Sequence, residues 1–197
     1  MKKINALLFV AAMAVAGPAA NAQIQKGNLM VGANLADIGL GFQSGGNTFS
    51  LSLSPKLGYF IEDNVVIGGQ VNIGVNAGSG SNIFNYGIGA FGRYYIGDKQ
   101  AVLLKHSRFF LEANVGIDGQ NTEHASTNGL GLGFGPGVAY FITENIGLEA
   151  LLKYNNTIGF GNSVVSHRLS LNVGFQIYLP TKKVRAIYEE AATEVED

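Results

Sequence analysis

The stretch Arg168-Leu169-Ser170-Leu171-Asn172-Val173-Gly174-Phe175-Gln176-Ile177-Tyr178-Leu179 decides the fold. Leu169, Leu171, Val173, Phe175, Ile177 and Leu179 alternate with Arg168, Ser170, Asn172, Gly174, Gln176 and Tyr178. Successive side chains of a strand point to opposite faces, so one face here is apolar throughout and the other polar. The same period of two runs back through the chain, broken by short runs of Gly, Asn, Ser and Asp. It predicts eight strands, near Asn28–Phe42, Thr48–Ile61, Val65–Ala77, Ile83–Ile96, Arg108–Asp118, Gly129–Ile142, Ile146–Ile158 and Val164–Leu179. Each is long enough to cross a membrane as a tilted strand, which takes about 9–11 residues. In the first, the phase changes at Asp37, between Leu35 and Ile38. A β-bulge there restores the facing.

The decapeptide from Pro55 to Asn64 recurs, in altered form, from Pro136 to Asn145, 81 positions on, with Tyr59-Phe60-Ile61 matched by Tyr140-Phe141-Ile142. Four strands separate the copies, so a strand and its connection take roughly 20 residues, the length an all-β, antiparallel up-and-down barrel needs. The other even-numbered segments end similarly, in Tyr94-Tyr95-Ile96 and Ile177-Tyr178-Leu179, so aromatics gather at one end of the sheet. An even strand count returns the chain to the side where it starts. On that side Glu62-Asp63-Asn64 and Thr143-Glu144-Asn145 read as tight turns and Gly97–Ser107 as a longer connection. Short polar loops near Gln43–Asn47, Gly78–Asn82, Gly119–Asn128 and Gly159–Ser163 lie on the other.

The 197 residues are 47% hydrophobic and only 14% charged, against about 25% charged in soluble proteins. A formal net charge of −1 with scattered basic residues excludes a nucleic-acid partner. The absence of cysteine excludes disulfides, thiol catalysis, thiolate metal sites and lipoprotein anchoring. Lys2 and Lys3, the apolar run Ile4–Ala16 and Ala20-Asn21-Ala22 form a secretory signal over residues 1–22, the apolar run being too short to span a bilayer as a helix. Cleavage after Ala22 takes the basic count from 13 to 11 against 14 acids, a net charge near −3, and leaves a barrel over 23–179 and a tail over 180–197.

Alternation alone does not say which face is outside, since a soluble ligand-carrying barrel alternates too, with its apolar face inward. Three features favour a membrane barrel. The polar face consists of small or amide residues, as in Gly129, Gly131, Gly133, Gly135 and Gly137, or Gln70, Asn72, Gly74 and Asn76, where a wet surface would carry Lys and Glu. The apolar face is bulkier than a narrow eight-stranded lumen has room for. Tyr59, Tyr94 and Tyr140 cap that face at one end, as membrane-interface aromatics do.

On the Tyr-Phe-Ile-x-(Asp/Glu)-Asn turns and the last strand, where Asn172, Gly174, Ile177 and Leu179 look like the signal read by the barrel-assembly machinery, the chain resembles the small eight-stranded outer-membrane proteins of the OmpA and OmpX type. The resemblance runs from about Gly27 to Leu179. It implies an integral outer-membrane protein surrounded by lipid, inserted by that machinery, with no cofactor and a role in envelope integrity or surface interaction. Such chains often end at the last strand, and this one continues through Pro180–Asp197.

By parity, Lys56, Arg93, Glu112, Glu149, Lys153 and Arg168 face the interior. Charges in so narrow a barrel must pair or bear the cost of desolvation. Arg93 and Glu112 are expected to pair across strands 4 and 5, and Glu149 to cluster with Lys56 and Lys153. The set is either an ion-pair plug that fixes register or the gate of a narrow conduction path. His124-Ala125-Ser126, beside Glu123, has the His-x-Ser spacing of an outer-membrane lipid A deacylase but sits in a polar loop; His106 and His167 read as solvated or interfacial, and no spacing suggests a metal site. In the tail, Val184, Ile187, Tyr188, Ala191 and Val195 share a helical face, as a periplasmic extension or as a partner-binding or pore-occluding helix would. The reading is a non-catalytic outer-membrane barrel with a packed polar lumen. A narrow solute channel and a soluble periplasmic binding barrel are the alternatives.

Overall fold

The computed structural model describes residues 24–43, 46–78, 82–96, 107–121, 126–160 and 165–181, the side chains of 37–43 and 46–48 excepted. Eight antiparallel strands, β1 (Leu29–Gln43), β2 (Gly46–Glu62), β3 (Val65–Gly78), β4 (Ile83–Ile96), β5 (Ser107–Asn121), β6 (Ser126–Phe141), β7 (Ile146–Gly159) and β8 (Val165–Leu179), close into a barrel in sequence order. Closure pairs β1 with β8 from Leu29↔Leu179 to Ala36↔Asn172. No sheet edge is left to seek another chain. The register of β1 on β2 shifts between Ala36 and Gly39, where the hydrophobic phase changes. Two of the outer loops are tighter than the sequence suggests, because pairing continues to Gln43↔Gly46 and to Asn121↔Ser126. Polar strand ends lose nothing by pairing in water, so composition alone places their boundaries too early. The signal region, residues 97–106, His124 and residues 182–197 lie outside the described residues.

Period two becomes two environments. Along β8, Leu169, Leu171, Val173 and Phe175 are exposed on the outer wall, while Ser170, Asn172, Gln176 and Tyr178 are buried inside. The core is therefore the lumen, and the apolar residues outside it form a continuous band.

At the end where β1 begins and β8 ends, the β2–β3 turn is stitched to its surroundings. Asn64 donates its backbone N–H to Ile24 O at 2.8 Å and accepts at its carbonyl from Tyr95 N, also at 2.8 Å. Asp63 Oδ1 accepts from Lys26 N at 2.8 Å, and Lys26 reaches Glu62 at 2.7 Å. The segment so held folds Ile24 under the barrel into the buried cluster. Asn64 sits at φ 68°, where a β-branched side chain meets backbone and costs roughly 1–2 kcal/mol. Asn64→Val is therefore expected to lose about that much in urea unfolding, and Asn64→Gly to be near neutral; equal stability of the two variants would count against the turn geometry.

Candidate functional site

The lumen has three storeys. At the end where β1 begins and β8 ends, Phe60, Tyr95, Phe110, Phe141 and Tyr178 point inward and are buried with Met30, Val66 and Leu151. Their rings pack at centroid distances of 5.2 Å for Phe141–Tyr178, 5.6 Å for Tyr95–Phe110 and 6.1 Å for Phe60–Tyr95. Each is the neighbour of an outward residue: Phe60 follows Tyr59, Tyr95 follows Tyr94, and Phe141 follows Tyr140. One aromatic of each pair serves the outer wall and the next one plugs the lumen.

Above the plug lies the ionic layer. Arg93 faces Glu112 in the β4–β5 register, donating from Nη2 at 2.7 Å and Nε at 3.1 Å to Glu112 Oε2. Nη1 and Nη2 reach the two oxygens of Glu149 at 2.5 and 3.0 Å, and Nη1 also donates to the Tyr95 hydroxyl at 2.8 Å. All five guanidinium N–H groups are thus engaged, as a buried arginine requires. The guanidinium also lies 4.0 Å from the Phe110 ring centroid, a cation–π contact that joins layer to plug. Tyr178 donates to Glu149 at 3.1 Å, so in its 2.8 Å contact with Tyr95 it is the acceptor.

Lys56 donates to Glu112 Oε1, and Lys153 stands 3.5 Å from the same oxygen. The clustering of Glu149 with Lys56 and Lys153 is corrected here. Glu149 belongs to Arg93, and both lysines belong to Glu112. Parity fixes the face of a residue, whereas strand tilt and stagger fix its height, and those are set by closure. A bare backbone makes the long reach possible. Gly135 faces Glu112 in the register, and a Cβ on it would stand 1.9 Å from Leu152 O and 3.0 Å from the Lys153 Cα. Arg168 faces the interior as its parity requires, but it is exposed there and lines the open cavity.

The third storey is a polar cavity of about 290 Å³, with Lys153 at its floor and Thr127, Asn128 and Ser166 toward its rim. On the outer wall, Tyr59, Tyr94 and Tyr140 are each about half exposed, at 47, 52 and 53%. His167 is on that wall too, its Nδ1 2.7 Å from the Tyr154 hydroxyl.

The profile of the outer membrane protein beta-barrel domain family matches residues 7–176. The chain belongs to this family. It is an outer-membrane β-barrel, and the exposed apolar band is the face it turns to lipid. Among solved structures, the outer-membrane barrel is similar to Neisserial surface protein A at 21% identity, over 78% of this chain and 96% of that one, with a TM-score of 0.55. The outer membrane protein OprG of Pseudomonas aeruginosa aligns at 11% identity over 80% and 98%, with a TM-score of 0.47. The first of these likenesses shows the fold. No curated protein matches the sequence.

Sequence reading passed over the aromatic plug. The signal was available: in Tyr-Phe-Ile the two rings have opposite parity, so only one can face lipid.

Proposed function

We propose that the outer-membrane barrel is non-conducting and non-catalytic, an integral envelope protein that works through its outer surface and its hold on the membrane. One observation carries this: the half of the lumen where β1 begins and β8 ends, which this reading turns to the periplasm, is filled twice over, by the Arg93–Glu112–Glu149 layer and by the ring cluster beneath it. Ions crossing that half would have to displace both. Lipid is the partner along the apolar band, and Asn172, Gly174, Ile177 and Leu179 serve the assembly machinery at the strand that closes on β1. His124 and Ser126 carry no reaction in this reading.

Purified barrel reconstituted in planar bilayers is expected to give no steady unitary currents. A stable conductance that changes when Arg93 is replaced would overturn the sealed lumen and leave the narrow channel standing.

A further inference from the structure

The cavity above the ionic layer has no part in sealing the barrel or in contacting lipid. Its wall is built from amides and hydroxyls, among them Gln70, Asn72, Asn114 and Asn155, with Asp118 to one side and Lys153 below. Two acceptors in this wall are unspent. Gln70 is 4% exposed and its Oε1 has no hydrogen-bond partner among the described residues; Asn114 is only part-buried, but its Oδ1 is shielded and equally unpartnered there. A buried acceptor without a donor is costly, so donor groups from outside the chain belong against these two oxygens.

The backbone is bare where those groups converge, and their side chains fill the space a Cβ would take. A Cβ on Gly133 would stand 2.4 Å from Asn114 Oδ1, 2.8 Å from Asn155 Oδ1 and 2.9 Å from Lys153 Cε. Glycine at this position leaves two amide carbonyls and the lysine stem side by side over open backbone. At ~30 Å³ per liquid water, a 290 Å³ cavity holds the equivalent of about ten waters, the bulk of one sugar ring.

Charge selects the class of solute. An anion would meet Asp118, whose carboxylate takes a 3.5 Å contact from Asn72, and Lys153 is already directed at Glu112. A cation would meet Lys153 at the floor and Arg168 in the wall. A neutral molecule with several hydroxyls donates to Gln70, Asn114 and Asp118 and accepts from side-chain amides, with no charge of its own to desolvate. We propose that the outer lumen is a binding cup for a neutral polyhydroxylated solute of single-sugar size. The proposal goes beyond the envelope role and takes from it only the sealed floor.

The test is a titration of the isotope-labelled barrel in phosphocholine micelles, which carry no sugar, with glucose, galactose and sorbitol, following the side-chain amide resonances. Saturable shifts at Gln70, Asn72, Asn114 and Asn155 with a millimolar dissociation constant are expected for at least one of the three. Gly133→Leu pushes the Asn114 and Asn155 carbonyls out of place and is expected to weaken binding at least about tenfold. Should that variant fail to fold, Asn114→Leu serves: it removes an unspent acceptor, so binding weakens while stability to urea without solute does not fall. Linear, non-saturating shifts mean that water alone occupies the cup and overturn the proposal. Preferential saturation by glycine or by inorganic phosphate overturns the class of solute. Conductance of the same preparation separates this from the sealed lumen: currents with saturable binding overturn only the seal, and silence without binding overturns only the cup.

Discussion

Replacing Glu112 with glutamine is expected to lower the unfolding free energy of the barrel by about 3–5 kcal/mol, the cost of removing one side of a buried ionic layer. Glu112 accepts from Lys56, Arg93 and Lys153. After the change Arg93 keeps Glu149, but the two lysines lose the carboxylate they share. Among the described residues Lys56 then retains the Phe91 ring, 5.1 Å from its Nζ to the centroid, which offers a quadrupole and no countercharge. The layer would pass from three cations and two carboxylates to three and one. Arg93→Met should cost less, since Glu112 keeps both lysines and Tyr178 still donates to Glu149. Adding Glu149→Gln to Arg93→Met removes the carboxylate left without a cation and should restore part of the loss. The measurement is urea unfolding in micelles, read by tyrosine fluorescence because the chain has no tryptophan. Parental stability in Glu112→Gln would show that the layer contributes nothing to holding the barrel shut.

That layer marks how far the sequence can be read. Strand number, order and facing were legible because each rests on local alternation, and alternation survives whatever the neighbours do. The change of phase at Asp37 was legible for the same reason, since the register slips at that point. Which charges meet was less so. Arg93 and Glu112 lie on adjacent strands near one connection, so their separation along the chain predicts their separation in space. Lys153 reaches Glu112 across all of β6, over Gly135. That contact depends on the stagger of the closed barrel and on a missing side chain, and neither is a property of β7. The same limit applies to Arg168, whose parity is right for the lumen but whose height brings it into the open cavity. The aromatic plug was hidden by chemistry. Tyr and Phe suit a lipid interface and a packed core equally well, and only the parity of Phe60 against Tyr59 separates the two.

The facing of the strands has its sharpest test on the outer wall. Lysine in place of Ile88 is expected to cost about 2–4 kcal/mol, the value for a cation near the bilayer midplane. Ile88 is 66% exposed and lies near the middle of β4, flanked in the register by Val71 on β3 and Ile117 on β5. All three point the same way, so a lysine there finds neither water nor a countercharge on the neighbouring strands. On a water-facing wall the same exchange would be worth no more than about 0.5 kcal/mol in either direction. Depth supplies the internal control. Ile96, at the plugged end of the same strand, is 46% exposed, and a lysine there extends its ammonium into the headgroups, so Ile96→Lys should cost only about 0–1 kcal/mol. The two substitutions share a strand, a face and a side chain and differ only in distance from the aqueous boundary. Unfolding free energies that fall from Ile96→Lys to Ile88→Lys therefore report hydrocarbon around the barrel, and a flat profile would mean that the apolar band faces water.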